Sequence, residues 1–215
     1  MPAVVATRRV RYNQGVMRAL LLHVSEEELA RRRRLGHDRY DEMWEGVLHM
    51  TPAPSSEHQR ILDELIAFLG PLMKARKRGL LRSGINVFDE ASPKENYRIP
   101  DLTFIAAGRE TILAADGVRG GGPDAVIEIR SPEDETYQKF GFFAALGTRE
   151  IAVLDRDSKK PEVYRLAGSQ YLAIAPDREG WVVSEVMRVR FRLIPGDVPR
   201  LAVEDLDDPR TAALI

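Results

Sequence analysis

Two acidic residues near the middle of the chain have the types and surroundings of a metal-binding pair. Asp101 follows Pro100 at the start of one apolar run, and Glu128 lies inside a second apolar run. An unpaired glutamate in a buried strand is costly, so it normally becomes protonated, pairs with a cation or binds a metal. Two carboxylates on neighbouring strands would offer the hard oxygen ligands that Mg²⁺ and Mn²⁺ prefer.

The chemistry that such a pair suits is hydrolysis of a phosphodiester. This reaction needs charge neutralisation on the phosphate, a water held in line and help for the leaving oxygen, and a carboxylate-bound divalent metal contributes to all three. In this hypothesis Asp101 and Glu128 hold the ion. The main-chain carbonyl of Ile129 can add an oxygen ligand, since strand carbonyls flank the Glu128 side chain. Lys139 can orient the attacking water or stabilise developing negative charge.

Each of these residues also has an ordinary structural explanation. Asp101 fits a turn at the end of a strand, and Lys139 fits an exposed helical position. Glu128 fits an edge strand on which Arg130 or another cation is its partner. His58, at the edge of an apolar helical stripe, could reach into a cleft or could simply cap or pack. Residue type and spacing alone leave these alternatives open.

The surrounding pattern predicts the elements that position the candidates. Short apolar runs between Gly, Pro and Asp turns predict strands, and apolar residues at helical spacing predict helices. The predicted strands near the site cover residues 80–88, 97–106, 124–130 and 151–154. Helices are predicted from Ser25, which has capping-box spacing to Glu28, and over residues 57–69 and 133–146. Residues 43–50 are predicted to form a turn followed by one strand. Four further segments between residues 162 and 193 resemble antiparallel strands.

Length and composition indicate one intracellular domain. The 215 residues fit a single domain, 1–215, with a core at about 24–194, a peripheral N-terminal arm and a polar, peripheral tail after Pro195. Cysteine is absent, which excludes disulfides and thiolate chemistry and is compatible with the cytoplasm. No segment approaches the roughly 20 apolar residues of a membrane span, and the N-terminal apolar run is too short for a signal peptide.

The charge balance gives no global attraction to nucleic acid. The 32 Lys and Arg residues oppose 33 Asp and Glu residues, a formal net charge of −1. Any such binding must therefore come from local basic clusters, of which residues 31–34 and 74–78 are the clearest. Both clusters are expected to face water near helix ends, with phosphate contact as the sharper alternative.

The order of several short motifs resembles the Uma family of bacterial endonucleases, in the PD-(D/E)XK, restriction-endonuclease-like superfamily. The resemblance spans roughly residues 24–194. Its first part consists of Glu45-Gly46, Met50, Pro52, Pro54 and Glu57-His58-Gln59. Its second part consists of Tyr97-Arg98-Ile99-Pro100-Asp101, Val126-Ile127-Glu128-Ile129-Arg130-Ser131-Pro132, Lys139-Phe140, Ala144, Leu146-Gly147, Arg149-Glu150 and Val153-Leu154-Asp155. The joint order is far more specific than any one motif.

The resemblance implies an α/β fold: a restriction-endonuclease-like mixed β-sheet flanked by helices, with additional antiparallel strands. It implies Asp101, Glu128 and Lys139 as the catalytic positions and His58 as a further matching residue. Arg130 stands where the superfamily usually has its lysine, so Lys139 is expected to supply the cation.

The implied function is Mg²⁺- or Mn²⁺-dependent hydrolysis of nucleic-acid phosphodiesters, with DNA as substrate and a homodimer as the working form. The alternatives are a catalytically silent nucleic-acid-binding or protein-interaction module on the same fold, and a hydrolase of small phosphate esters.

Overall fold

Residues 19–215, the part of the chain that the computed structural model describes, form three α-helices and three β-sheets. The helices are α1 (Glu26–Leu35), α2 (Ser56–Ala75) and α3 (Phe140–Ala145), and two 3₁₀ turns cover Glu110–Ile112 and Thr136–Lys139. The strands are β1 (Ala19–Leu21), β2 (Asp41–Trp44), β3 (Val47–Met50), β4 (Gly79–Ser83), β5 (Asn86–Phe88), β6 (Tyr97–Arg98), β7 (Leu102–Ala106), β8 (Leu113–Ala114), β9 (Gly117–Val118), β10 (Ala125–Arg130), β11 (Glu150–Asp155), β12 (Pro161–Ala167), β13 (Gln170–Ala173), β14 (Val182–Ser184), β15 (Val189–Ile194), β16 (Arg200–Asp205) and β17 (Ala212–Leu214).

The central sheet has six strands in the order β13-β12-β11-β10-β7-β4. Strands β10 and β11 are parallel, with Ile127 opposite Ala152, and the other neighbours are antiparallel. Parallel neighbours need a crossover, and here it contains the second 3₁₀ turn and α3. The predicted α/β fold with a mixed sheet flanked by helices and additional antiparallel strands is therefore confirmed.

Strand β10 is buried on both faces because a helix covers each of them. Ile127 and Ile129 belong to the core cluster that includes Leu65 of α2, whereas Val126 packs with Phe143 of α3. A strand covered on both sides has a nearly continuous apolar sequence, as the run at 125–129 does. Side chains alternate between the faces, so the one charged residue within this run, Glu128, lies on the Val126 face.

A second sheet has seven strands in the order β1-β3-β2-β6-β5-β9-β8. Its β2–β3 hairpin turns at Glu45 and Gly46, which have φ of 51° and 85°. Two consecutive positive φ values match the twist of a two-residue hairpin turn. The expectation of a turn followed by a single strand over residues 43–50 is therefore wrong, because both arms of the turn are strands.

The predicted strand at 97–106 is wrong as a single element, because Pro100 divides it. Tyr97–Arg98 pairs in the seven-stranded sheet, whereas Leu102–Ala106 pairs in the central sheet. Proline cannot donate to a ladder and restricts the residue before it, so the chain changes sheets there. Asp101 consequently lies at the bend between the two sheets.

The predicted helix at 133–146 is shorter than expected. Its first part is a loop in which the Asp134 carboxylate accepts hydrogen bonds from the Ser131 and Thr136 N–H groups at 2.6 and 3.0 Å. Glu133 has a φ of 61° there, outside the right-handed helical region. Lys139 therefore ends a 3₁₀ turn, and α3 begins one residue later.

The expectation that the tail after Pro195 is peripheral is wrong. Strands β16 and β17 complete a four-stranded sheet in the order β14-β15-β16-β17. Leu201, Val203 and Ile215 are buried in the same core cluster as α2. Polar and apolar side chains alternate along a short strand, so its average composition is polar even when one face is fully buried. This is why composition did not reveal β16. Of the predicted N-terminal arm, residues 1–18 lie outside the described residues.

The two basic clusters make contacts inside the fold as well as facing water. The Arg32 guanidinium donates to both carboxylate oxygens of Asp41 at 2.6 and 2.8 Å. Arg76 and Arg78 donate to Asp205, a fully buried carboxylate of β16. Part of each cluster therefore joins elements of the fold. Within residues 19–215 no helix is long and apolar enough to cross a membrane.

Candidate active site

All five sequence-predicted site residues line one cleft of about 440 Å³. The cleft lies between the N-terminal end of α2, the bend before β7 and the end of β10. The predicted residues that line it are His58, Asp101, Glu128, Ile129 and Lys139. The structure thus brings together groups as far apart in the sequence as His58 and Lys139.

The pairing of β7 with β10 brings the two carboxylates together. Ile127 lies opposite Leu102 in this antiparallel pair. Continuing the same register by one residue on each strand places Glu128 opposite Asp101. The Asp101 Oδ2 atom accepts the Ile129 N–H at 2.6 Å. The N–H and C=O of a strand residue point to the same side, so the Ile129 carbonyl is directed toward the Asp101 side of β10.

Glu128 and Lys139 form a buried ion pair. The Lys139 Nζ atom lies 3.3 Å from Glu128 Oε1, and Glu128 is only 4% exposed. Burial, reinforced by the charges of Asp101 and Glu42, raises the pKa of Glu128 to about 8 despite the nearby ammonium. Burial opposes the charge on Lys139, but Glu128 and Glu42 together raise the pKa of this lysine. The lysine therefore stays charged, and the carboxylates are in excess.

Glu42 is a site residue that the sequence analysis missed. Its Oε1 atom lies 2.9 Å from Lys139 Nζ and accepts the Ile99 N–H at 2.7 Å, and its Oε2 atom accepts the Trp44 indole N–H at 2.8 Å. The available signal was the Glu45-Gly46 pair between two alternating segments, which is typical of a hairpin. Recognising that hairpin would have placed Glu42 inside a strand.

His58 lies in the first turn of α2, which begins after the N-cap Ser55. The His58 Nε2 atom is 3.2 Å from Asp101 Oδ2. Burial opposes the charged imidazole, but the hydrogen bond to Asp101 and the charge of Asp101 raise the pKa of His58 overall. Within residues 19–215, the buried His58 Nδ1 atom has no hydrogen-bond partner. His58 is therefore held against Asp101 through one nitrogen only.

The donor set fits a hard divalent cation. Asp101, Glu128 and the Ile129 carbonyl are oxygen donors on adjoining strands, and burial, together with the charges of Asp101 and Glu42, raises the pKa of Glu128. No group of three or more His, Asp or Glu side chains within residues 19–215 forms a metal cage by itself. Water and phosphate oxygens would have to complete the coordination, as is usual for Mg²⁺.

A mixed sheet with a carboxylate pair and a lysine at its edge defines a restriction-endonuclease-like protein. Residues 27–195 match the model of the Uma2 family, described as "Putative restriction endonuclease". Because this match covers most of the chain, the protein belongs to that family, and the resemblance seen in the sequence is confirmed.

One solved structure supports the fold. It is described as "a putative nuclease belonging to DUF820 from Anabaena variabilis ATCC 29413". The two chains superpose with a TM-score of 0.54 at 19% sequence identity, over 68% of this chain and 82% of that one. At this identity the likeness establishes the fold alone. No curated protein matches the chain.

Proposed function

We propose that the protein is a divalent-metal-dependent endonuclease that hydrolyses phosphodiester bonds of nucleic acid, with DNA as its substrate. The family description and that of the similar structure support a nuclease function. The observation that carries the proposal is the cleft in which Asp101, Glu128, Ile129 and Lys139 meet with an excess of carboxylates. Such an arrangement suits a reaction that brings a cation and a phosphate together.

In this proposal Asp101, Glu128 and the carbonyl of Ile129 hold Mg²⁺ or Mn²⁺. When bound, the ion neutralises charge on the phosphate and lowers the pKa of a bound water. Among the described residues, both hydrogen bonds to the Asp101 carboxylate are made to Oδ2, which leaves Oδ1 for the ion. The bond from the Ile129 N–H fixes the orientation of the Asp101 carboxylate.

Lys139 then supplies the fixed positive charge of the site. An ammonium group has three donors, and Glu42 and Glu128 lie 2.9 and 3.3 Å from the Lys139 Nζ atom. No other acceptor among residues 19–215 pairs with it, so a donor is available to hold the attacking water or a phosphate oxygen. Because the two carboxylates keep the group charged and hold it in place, little reorganisation is needed as negative charge develops.

His58 has a supporting role in this proposal. Its imidazole donates to Asp101 from the α2 side of the cleft, opposite the Ile129 N–H. Arg156 also lines the cleft, next to Ser55 of the α2 cap, and its guanidinium donates to Asp157, so contact with a flanking phosphate would compete with that pair. His58 would orient the proposed metal ligand Asp101, whereas Arg156 would position the substrate.

A catalytically silent nucleic-acid-binding or protein-interaction module is the second candidate. The observation that favours its protein-interaction form is the internal use of basic residues: Arg32 binds Asp41, and Arg76 and Arg78 bind Asp205. These guanidinium groups are less available to phosphates than the sequence suggests.

Calorimetry with Mn²⁺ separates the two candidates. A working site binds the ion in the wild type and loses it in Asp101→Asn, which keeps an acceptor for the Ile129 N–H. Asp116→Asn is the matched control, because Asp116 is an exposed turn residue whose carboxylate pairs with Arg119, outside the cleft. Equal Mn²⁺ binding by wild type and Asp101→Asn would contradict the assigned ligand, and no binding by either would favour the silent module.

Cleavage assays address the substrate. Supercoiled plasmid should be nicked in the presence of Mg²⁺ or Mn²⁺ by the wild type and by Asp116→Asn, but not by Asp101→Ala or Glu128→Ala. Hydrolysis of a small model phosphodiester without plasmid cleavage would instead support the small-ester alternative. Equal nicking by all four proteins would end the proposal.

Homodimerisation and a cytoplasmic location stay predictions. Cleavage of both strands of a duplex benefits from two sites related by a two-fold axis. Sedimentation equilibrium with and without a short duplex tests the dimer directly, and fractionation of cells tests the location.

A further inference from the structure

We propose that Glu42 is the positioning residue for Lys139: it fixes the ammonium group in the cleft and is not itself a metal ligand. The inference rests on the proposed nuclease function for its catalytic consequence. Its structural basis is the set of contacts that join Glu42 to both halves of the site.

Lys139 needs a partner that fixes its head group. Its main chain ends a four-residue 3₁₀ turn, and a lysine side chain has four rotatable carbon–carbon bonds. Glu128 alone does not fix it, because a carboxylate proposed to bind a cation is drawn toward that cation. Glu42, 2.9 Å from the Nζ atom, is closer to it than Glu128 at 3.3 Å.

Glu42 is itself held rigidly. Its Oε1 atom accepts the Ile99 N–H, and its Oε2 atom accepts the indole N–H of Trp44. The Trp44 ring is in turn stacked on His49 of the paired strand, with 4.1 Å between ring centroids, and lies under the Arg98 guanidinium at 4.2 Å. Each contact limits the freedom of the carboxylate.

The Ile99 contact ties Glu42 to the metal side of the site as well. Ile99 precedes Pro100 and Asp101 at the bend between the two sheets. One buried carboxylate therefore joins the bend that carries Asp101 to the turn that carries Lys139. Both of its oxygens accept hydrogen bonds from the protein, so a metal would have to displace these donors in order to bind. A structural role inside the site explains the contacts better.

The test compares Glu42→Gln with Lys139→Met, with their double variant and with Glu45→Gln. Glu45→Gln removes the same charge from the exposed turn of the same hairpin. Glu42→Gln should lower kcat by about 10- to 100-fold, less than the roughly 100- to 1000-fold expected for outright loss of a fixed donor, because the lysine is displaced and not removed. KM and Mn²⁺ affinity should change less than about threefold. Because both single changes disable the same ammonium group, the double variant should be no slower than Lys139→Met.

A second readout does not depend on activity. Acetic anhydride acetylates the unprotonated amine of a lysine. The extent of labelling, read by mass spectrometry, therefore reports how exposed each lysine head group is and how strongly its neighbours hold it in the charged form. Lys139 should react slowly in the wild type and in Glu45→Gln, and at least about tenfold faster in Glu42→Gln. If Glu42→Gln does not fold, Trp44→Phe keeps the aromatic stack, removes one donor to Glu42 and should change Lys139 labelling in the same direction.

The outcomes are distinguishable. The positioning role would be overturned if the double variant lost kcat by the product of the two single losses. It would also be overturned if Glu42→Gln kept the wild-type kcat. Unchanged Lys139 labelling in Glu42→Gln, or in Trp44→Phe if that variant is needed, would overturn it too. If the wild type does not cleave nucleic acid at all, the proposed function fails, and the labelling experiment still decides whether Glu42 holds Lys139.

Discussion

The buried carboxylate at the centre of the cleft should make the metal-free protein less stable as the pH rises. Glu128 is 4% exposed, and its pKa rises from an ordinary 4.5 to about 8. In the unfolded chain this group ionises at its ordinary pKa. Its protonated form therefore stabilises the fold fully below pH 4.5, and that contribution is lost as the pH rises toward 8.

The magnitude follows from the size of the pKa change. Each pH unit between the unfolded and folded pKa values lowers the free energy of unfolding by about 1.4 kcal/mol. Between pH 5 and pH 8.5 the loss amounts to about 4 kcal/mol of folding free energy for this one group. Glu128→Gln cannot ionise, so the variant should lack this part of the pH dependence.

Urea unfolding in EDTA at pH 5 and at pH 8.5 measures the effect. Wild type and the control Glu45→Gln should lose stability relative to Glu128→Gln over this interval. Titrating groups outside the cleft cancel in the comparison, whereas the neighbours that interact with Glu128 contribute to the measured effect. Saturating Mn²⁺ should then stabilise the wild type but not Glu128→Gln, because binding to the folded state alone raises its stability. Parallel pH dependences in wild type and Glu128→Gln would refute the reasoning about the buried charge.

Three further predictions concern stability. Leu65→Ala removes a fully buried side chain of α2 and should lower the free energy of unfolding by about 2–5 kcal/mol in urea titrations. Asp205→Asn removes the buried charge that pairs with Arg76 and Arg78 and, because Arg78 keeps Asp207 as a partner, should cost about 1–3 kcal/mol, whereas a truly peripheral tail would show no loss. Burial opposes ionisation of Asp155, but hydrogen bonds from the turn after it and from Arg130 lower its pKa to about 2. Its contribution to stability is present above pH 4 and lost as the pH falls toward 2, so acid titration of Asp155→Asn should lack that step.

Much of the helical and strand content could be predicted from local sequence. Ser25 accepts the Glu28 N–H at 3.1 Å, as its capping-box spacing predicts, and α1 begins there. The apolar stripe of α2 is buried against the central sheet, although the helix extends to Ala75, beyond the predicted 57–69. Capping and periodicity are local signals, so they identify an element better than they identify its end.

The elements that were predicted wrongly depend on partners distant in sequence. At Pro100 the chain leaves one sheet and enters another, and the sequence of residues 97–106 alone does not indicate that two sheets are present. The tail strand β16 is stabilised by pairing with β15 and by the contact of Asp205 with Arg78, more than a hundred positions earlier. Composition averages over both faces of such a strand and therefore conceals it.

The sequence by itself determined which residues have the chemistry of the site. Asp101, Glu128 and Lys139 are recognisable by type, by their apolar surroundings and by the order of the motifs around them. Only the tertiary structure decided that Glu42 belongs with them. The β2 hairpin, the bend before β7 and the turn before α3 meet in the cleft through sheet pairing, and a contact made by sheet pairing leaves no spacing pattern along the chain.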